Sequence, residues 1–129
     1  MKTTTLGKSP LKVSRLCLGT MMFGDQTPLE DARAIVAGAQ EKGCNFIDTA
    51  DVYTLGKSEE IVGQVLKGQR HQWVLASKVG NAMSEEPNHK GYSRSWMLRA
   101  CEGSLCRLDT DHLDIYYLHR DYNGMNLEE

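Results

Sequence analysis

Apolar and polar positions follow two different rhythms along this chain, and the switches between them predict its elements. Four short, continuously apolar runs, RLCLGT, CNFIDTA, WVLASKVG and HLDIYYLHR, read as strands hidden on both faces. Between them, apolar residues recur at helical spacing. Leu29, Ala32, Ile35, Val36 and Ala39 predict the buried face of one helix, Ile61, Val65 and Leu66 that of a second, and Met97, Cys101, Leu105 and Leu108 that of a third. Start signals fit the same places. Thr27-Pro28-Leu29-Glu30 reads as a capping box with Thr27 as cap and Pro28 at the first helical position. Ser58 and Ser93 read as caps of the next two helices, and Gly43 and Gly68 as stops. Strand and amphipathic helix alternate, which predicts βαβ units on a parallel sheet. Residues 1–14 precede them as a small hairpin, with its turn at Gly7-Lys8-Ser9-Pro10.

The final residues, Asn126-Leu127-Glu128-Glu129, repeat the grammar of a helix start. One turn carries the nucleation cost of a helix without the later hydrogen bonds that offset it. The expectation is a chain truncated where a fourth helix begins.

Composition narrows the class without naming a function. With 129 residues, 40% apolar and 25% charged, and a formal charge of -2, the chain has the make-up of a single soluble domain. No block of like charge predicts a nucleic-acid or membrane surface, and no apolar run is long enough to cross a bilayer. The opening MKTTTLGKSPLKVSR has no secretory core, so cytoplasm is the expected compartment. Cys17, Cys44, Cys101 and Cys106 form no CxxC pair and are expected as buried, free thiols, with no metal site.

Two motifs mislead. DVYTLGKS resembles a phosphate-binding GxxxxGK[ST], but Asp51 stands where the first glycine must let the backbone approach a phosphate. No GxGxxG follows any strand, so a Rossmann fingerprint is absent.

Strand ends carry the stronger signal. Asp48 closes the second apolar run, Lys78 the third and His119 the fourth, and Tyr53 follows in the loop after Asp48. In a parallel βα array these ends share one rim, where catalytic groups gather. A free phenol ionises near ~10, and a neighbouring ammonium favours its phenolate. Lys78 can supply that charge, Asp48 can partner a buried lysine, and a histidine can hydrogen-bond a substrate carbonyl. Together the set suits proton delivery to a carbonyl oxygen. Singly, each has an ordinary use: Asp48 as a turn cap, Lys78 and His119 as strand-end residues with solvated tips, Tyr53 as a packing aromatic. Tyr116 and Tyr117 are expected to pack within the fourth strand, Asp51 to be a loop or helix-end residue, and His71, His89 and His112 to have no site role.

The segments LCLGTMMFG, NFIDTADVYTLGKSEEIVG, LASKVG and DIYYLHRDY, in that order, resemble the N-terminal half of an aldo-keto reductase. The resemblance implies an α/β fold of the TIM (β/α)8 type, here a half-barrel of about four strands spanning residues 1–129, with the C-terminal half absent. It implies NADPH as cofactor and an aldehyde or ketone as the small-molecule substrate. By the same resemblance Tyr53 is the general acid, Lys78 and Asp48 tune it, and His119 orients the carbonyl. Gly19, Thr20, Met21 and Asp48 match positions near the nicotinamide ribose, joined by Gln26 in members with a longer loop. Met21 stands where many members have tryptophan, and Asn81 and Met83 are weaker candidates for lining the pocket. A barrel of this type needs about 250 residues, so this chain is expected to be inactive alone. Two rival readings are a non-catalytic half-barrel that associates through its open edges, as a homo-oligomer or with another chain, and a nicotinamide-sensing regulatory subunit. His119 weighs against the second rival, because the channel-subunit members depart from histidine there.

Overall fold

The apolar runs form one parallel sheet, and the computed structural model describes it within residues 1–122. In chain order the elements are β1 (Thr3–Thr5), β2 (Lys12–Ser14), β3 (Leu18–Gly19), α1 (Leu29–Glu41), β4 (Phe46–Asp48), α2 (Lys57–Leu66), β5 (Val74–Val79), α3 (Arg94–Leu108) and β6 (Ile115–Leu118). The 4-stranded sheet runs β3-β4-β5-β6, with every neighbouring pair parallel. Sequence order equals spatial order, as in half of a (β/α)8 barrel. The helix start read at Asn126 lies outside the described residues.

One face of the sheet packs on helices. Ile47 and Leu75 from the strands meet Ala32 and Val36 of α1 and Ile61, Val62, Val65 and Leu66 of α2 in the main core. A second cluster joins Val79 to Trp96 and Ala100 of α3. Helices α2 and α3 come close at Gly63, where an added Cβ would stand 2.6 Å from the Leu108 carbonyl oxygen. The antiparallel hairpin β1–β2 is pinned at the opposite end from the strand tips. Asn45, just before β4, accepts from the Ser14 amide at 2.7 Å and donates to the Lys12 carbonyl at 3.1 Å.

Several local expectations are corrected. Helix α1 begins at Leu29 with Pro28 in the cap position and no side-chain cap hydrogen bond, so the capping box at Thr27 does not form. Proline holds the extended entry by itself. Its Ile35 is exposed, because the helix buries a narrower stripe around Ala32 and Val36. Helix α2 is capped by left-handed Gly56, and Ser58 lies inside it, fully buried. Ser93 does cap α3, accepting from the Trp96 amide. The buried stripe of α3 is Trp96, Ala100, Ser104 and Leu108, one position away from the expected Met97, Cys101 and Leu105. Ser104 takes its inward place within reach of Arg107, whose guanidinium donates to its hydroxyl at 3.4 Å. Of the cysteines, Cys44 is buried but Cys17 and Cys106 are exposed, and all four are free thiols. Tyr116 packs beside the Trp96 cluster, whereas Tyr117 lies on the other face with 38% of its surface exposed. Alternation along β6 forces the two rings to opposite faces.

Candidate functional site

Strand register brings the expected rim residues together. Gly19 pairs with Asp48, Asp48 with Ala76, and Lys78 with Tyr117, so all five lie on the face of the sheet away from the helices. His119, two residues after Tyr117, falls on the same face, its amide donating to the Val79 carbonyl at 2.9 Å. Cys17, Gly19, Phe46, Asp48, Lys78, Tyr117, Leu118 and His119 line an open groove of about 460 Å³. A groove of equal volume between α2 and α3 is lined by none of these residues.

Lys78 is the hub. Its ammonium nitrogen donates to Asp48 Oδ2 at 2.7 Å, to the Thr49 carbonyl at 2.8 Å and to the Tyr53 hydroxyl at 2.8 Å. Three acceptors match the three hydrogens of an ammonium, so its burial is compensated. The cation also lies 4.5 Å from the Tyr53 ring centroid. Because Tyr53 accepts from Lys78, its own hydrogen remains free to be donated elsewhere.

His119 stands edge-on to Tyr53, with ring centroids 5.7 Å apart. Its Nδ1 is shielded without a partner, which leaves Nε2 as the available ring nitrogen. Burial, and then the positive charges of Lys78 and Arg120, hold its pKa below the usual 6.5, against a weaker opposing pull from Asp48. The ring is therefore neutral at pH 7 and can hydrogen-bond without adding charge.

The loop that carries Tyr53 is held in a strained form. Thr54 and Leu55 have φ of 48° and 49°, a left-handed conformation that costs non-glycine residues about 1–2 kcal/mol each. Gly56 follows at φ 91°, and the Arg107 side chain occupies the place its Cβ would take. Buried hydroxyls tie the loop to the sheet. Ser58 Oγ donates to the Thr20 carbonyl at 2.8 Å and lies 3.0 Å from both the Thr20 and Thr49 hydroxyls. Thr20 in turn donates to the Asp48 carbonyl at 2.9 Å.

Of the proposed cofactor positions, Gly19 and Asp48 line the groove, and Met21 is exposed beside it in sequence. Thr20 is buried, its hydroxyl committed to Asp48 and Ser58. Gln26 is exposed on the loop before α1, and no hydrogen bond joins it to the tetrad of Asp48, Tyr53, Lys78 and His119 among the described residues. Met83 packs against the Trp96 cluster.

Sequence reasoning missed three contributors. Ser58 passed for a helix cap because serine before two acids is the usual cap signal. Tyr92 clamps the residue after His119, accepting from the Arg120 amide at 2.9 Å, and left-handed Gly80 makes room for its ring. Asp51 is fully buried, with no side chain hydrogen-bonded to either carboxylate oxygen. No helix among the described residues is long and apolar enough to cross a membrane, and no cluster of metal-ligating side chains occurs among them.

Comparison with known proteins agrees with the half-barrel fold. The family model of the aldo/keto reductase family matches residues 15–129. A rice protein, "Probable voltage-gated potassium channel subunit beta" of Oryza sativa subsp. japonica, is 39% identical over the whole chain, which covers 40% of its length. "Uncharacterized oxidoreductase YqkF" of Bacillus subtilis is 38% identical, with 42% of its length covered. The solved holo form of aldo-keto reductase AKR11C1 from Bacillus halodurans superposes with a TM-score of 0.81 at 41% identity, over 92% of this chain and 40% of that one. The chain thus spans about 40% of the length of the relatives it matches. With the half-barrel fold, the family match and these identities in agreement, the chain belongs to the aldo/keto reductase family.

Proposed function

We propose that this sequence carries the proton-transfer half of an NADPH-dependent carbonyl reductase acting on an aldehyde or ketone. The observation that carries the reading is the Lys78 ammonium, donating at once to Asp48 and Tyr53 at the rim of an open groove. Tyr53 is the general acid. With Lys78 as its donor, its free hydrogen goes to the carbonyl oxygen while the ammonium beside it stabilises the phenolate left behind. Asp48 neutralises Lys78 and fixes its position. Neutral His119 hydrogen-bonds the carbonyl and orients it.

The residues present fit a nicotinamide cofactor in part. Gly19 leaves the groove wall without a side chain beside Asp48, and a carboxylate there can accept from a ribose hydroxyl. Gly19, Met21 and Asp48 would hold that end, with the Thr20 backbone and, from its exposed loop, Gln26. When bound, the nicotinamide supplies the hydride. Since the chain spans 40% of its relatives' length, a 129-residue polypeptide is expected to turn over negligibly alone, because holding donor and acceptor in reactive geometry needs the rest of the clamp.

A chimaera tests the reading. Residues 1–122 replace the matching part of the Bacillus halodurans reductase, and NADPH oxidation is followed with an aromatic aldehyde. Turnover abolished by Tyr53→Phe is expected; a folded chimaera that binds NADPH and leaves the aldehyde untouched sinks the reading. For the isolated chain, Tyr53-dependent turnover would refute inactivity.

One observation favours association as well. Tyr117 and Leu118 are exposed on β6, an edge of the sheet within the described residues. Light scattering decides: a well-behaved monomer removes this second reading. The rice relative's printed name raises a regulatory role too, and nicotinamide binding without turnover in the chimaera would favour it.

A further inference from the structure

Behind the tetrad lies a second charged cluster that the proton transfer does not use. Glu59 of α2 is fully buried, accepting from Ser77 Oγ of β5 at 2.6 Å and from Arg107 Nε of α3 at 2.7 Å. Ser77 and Lys78 are adjacent, so this cluster and the tetrad meet through one strand and face opposite ways from it. Asp51 sits at the junction. Its amide donates to the Lys78 carbonyl at 3.3 Å, and its side chain is buried with no side chain hydrogen-bonded to either oxygen.

We propose that Asp51 is a positioning residue of the tetrad, whose buried carboxylate opposes the field of the Lys78 ammonium at Tyr53 when charged and ceases to oppose it when protonated. The inference rests on the carbonyl-reductase reading of the tetrad. The charged groups that act on Asp51 are Glu59 from α2, Arg107 from α3 and Lys78 from β5, and Asp51 acts in turn on Tyr116 from β6, whose buried hydroxyl has no partner. Burial foremost, and then the Glu59 carboxylate, push the Asp51 carboxyl up to about 6, against the Val52 backbone amide first and then the charges of Arg107 and Lys78, which pull it down. Above that pH the cluster holds two carboxylates and one guanidinium, and the surplus negative charge acts on Lys78. Below it Asp51 is neutral, and the Lys78 field reaches Tyr53 unopposed but for Asp48. An unpaired buried carboxylate costs stability, and at the back of a proton-transfer group such a charge has a use.

The test reads the coupling directly in the 129-residue chain. Nuclear magnetic resonance follows the Asp51 carboxyl carbon and the Lys78 ζ-nitrogen against pH, in a His119→Asn background so that the imidazole contributes no step. The two resonances are expected to move together near pH 6, and Asp51→Asn is expected to abolish the Lys78 step. A flat Lys78 resonance, or an Asp51 that titrates in the ordinary carboxylate range, overturns the proposal. The co-titration stands without Asp51→Asn should that variant not fold. Turnover is a separate arm: co-titration intact in a chimaera that reduces no carbonyl overturns the reductase reading and leaves the charge coupling in place.

Discussion

Lys78 Nζ lies 2.8 Å from the Tyr53 hydroxyl, with Asp48 Oδ2 at 2.7 Å from the same nitrogen. Lysine is the only member of the trio that touches both others, so its removal separates two effects. Lys78→Met leaves Asp48 largely buried without its partner, which should cost about 1–3 kcal/mol of stability. Asp48→Asn added to it should recover part of that loss, because the uncompensated charge is gone. In the chimaera, both variants should lower turnover by roughly 10²–10⁴, the usual worth of positioned acid catalysis. Denaturation midpoints and kcat, measured side by side, check the pair. Stability restored together with activity would contradict the proposed role.

The fold was largely legible because parallel strands and amphipathic helices write different periods. Asp48, Lys78 and His119 were legible for a related reason: each stands next to the end of an apolar run, and parallel register sends all such ends to one rim. Ser58 and Asp51 were not. A buried serine inside a helix is written like a cap, and its partners Thr20 and Thr49 come from two other segments. The α3 stripe was misread by one position, and the Glu59–Arg107 pair behind the sheet was not legible, because no local spacing announces a contact between residues 48 positions apart. Ser104, beside that pair, then takes an inward position that hydrophobicity alone assigns to Leu105.

That ion pair makes its own prediction. Glu59 is fully buried, and Arg107 supplies its one guanidinium contact at 2.7 Å. Arg107→Ala removes the partner and leaves a buried carboxylate, at an expected cost of about 3–5 kcal/mol. Glu59→Gln keeps the Ser77 contact and removes the charge, so it should cost less. Urea titration of both variants gives the order, and a larger loss for Glu59→Gln would show that the pair does not hold α2 and α3 in this way.

Two glycines should respond oppositely to one added methyl group. At Gly63 a Cβ would lie 2.6 Å and 2.7 Å from Leu108 backbone atoms, which cannot rotate away. Gly63→Ala must push α2 and α3 apart, at about 1–3 kcal/mol. Gly38 sits within α1 with nothing within 4 Å of its added Cβ. Gly38→Ala should therefore stabilise by about 0.5–1 kcal/mol through helix propensity and the unfolded chain. Thermal midpoints that move the same way for both would count against the close approach of the helices.

The stability of the chain should also depend on pH through Asp51, and the sign can be worked out. Its carboxyl is raised from 3.8 to about 6, so the folded chain holds this proton more tightly than the unfolded one. Its contribution to folding is fully present below about 3.8 and is lost as pH rises through about 6. At higher pH the folded chain bears the whole penalty, up to about 3 kcal/mol at ~1.4 kcal/mol per pH unit. Asp51→Asn removes the ionisation, so it should gain stability over the unaltered chain at pH 8 and lose most of that gain by pH 4. His119, with its lowered pKa, weakens folding below about 6.5, but it does so in both chains and cancels from the difference. Urea denaturation at pH 4, 6 and 8 measures that difference. A gain that is constant across the range would mean that the carboxyl does not change its charge on folding, and a gain that grows toward acid would reverse the assigned direction.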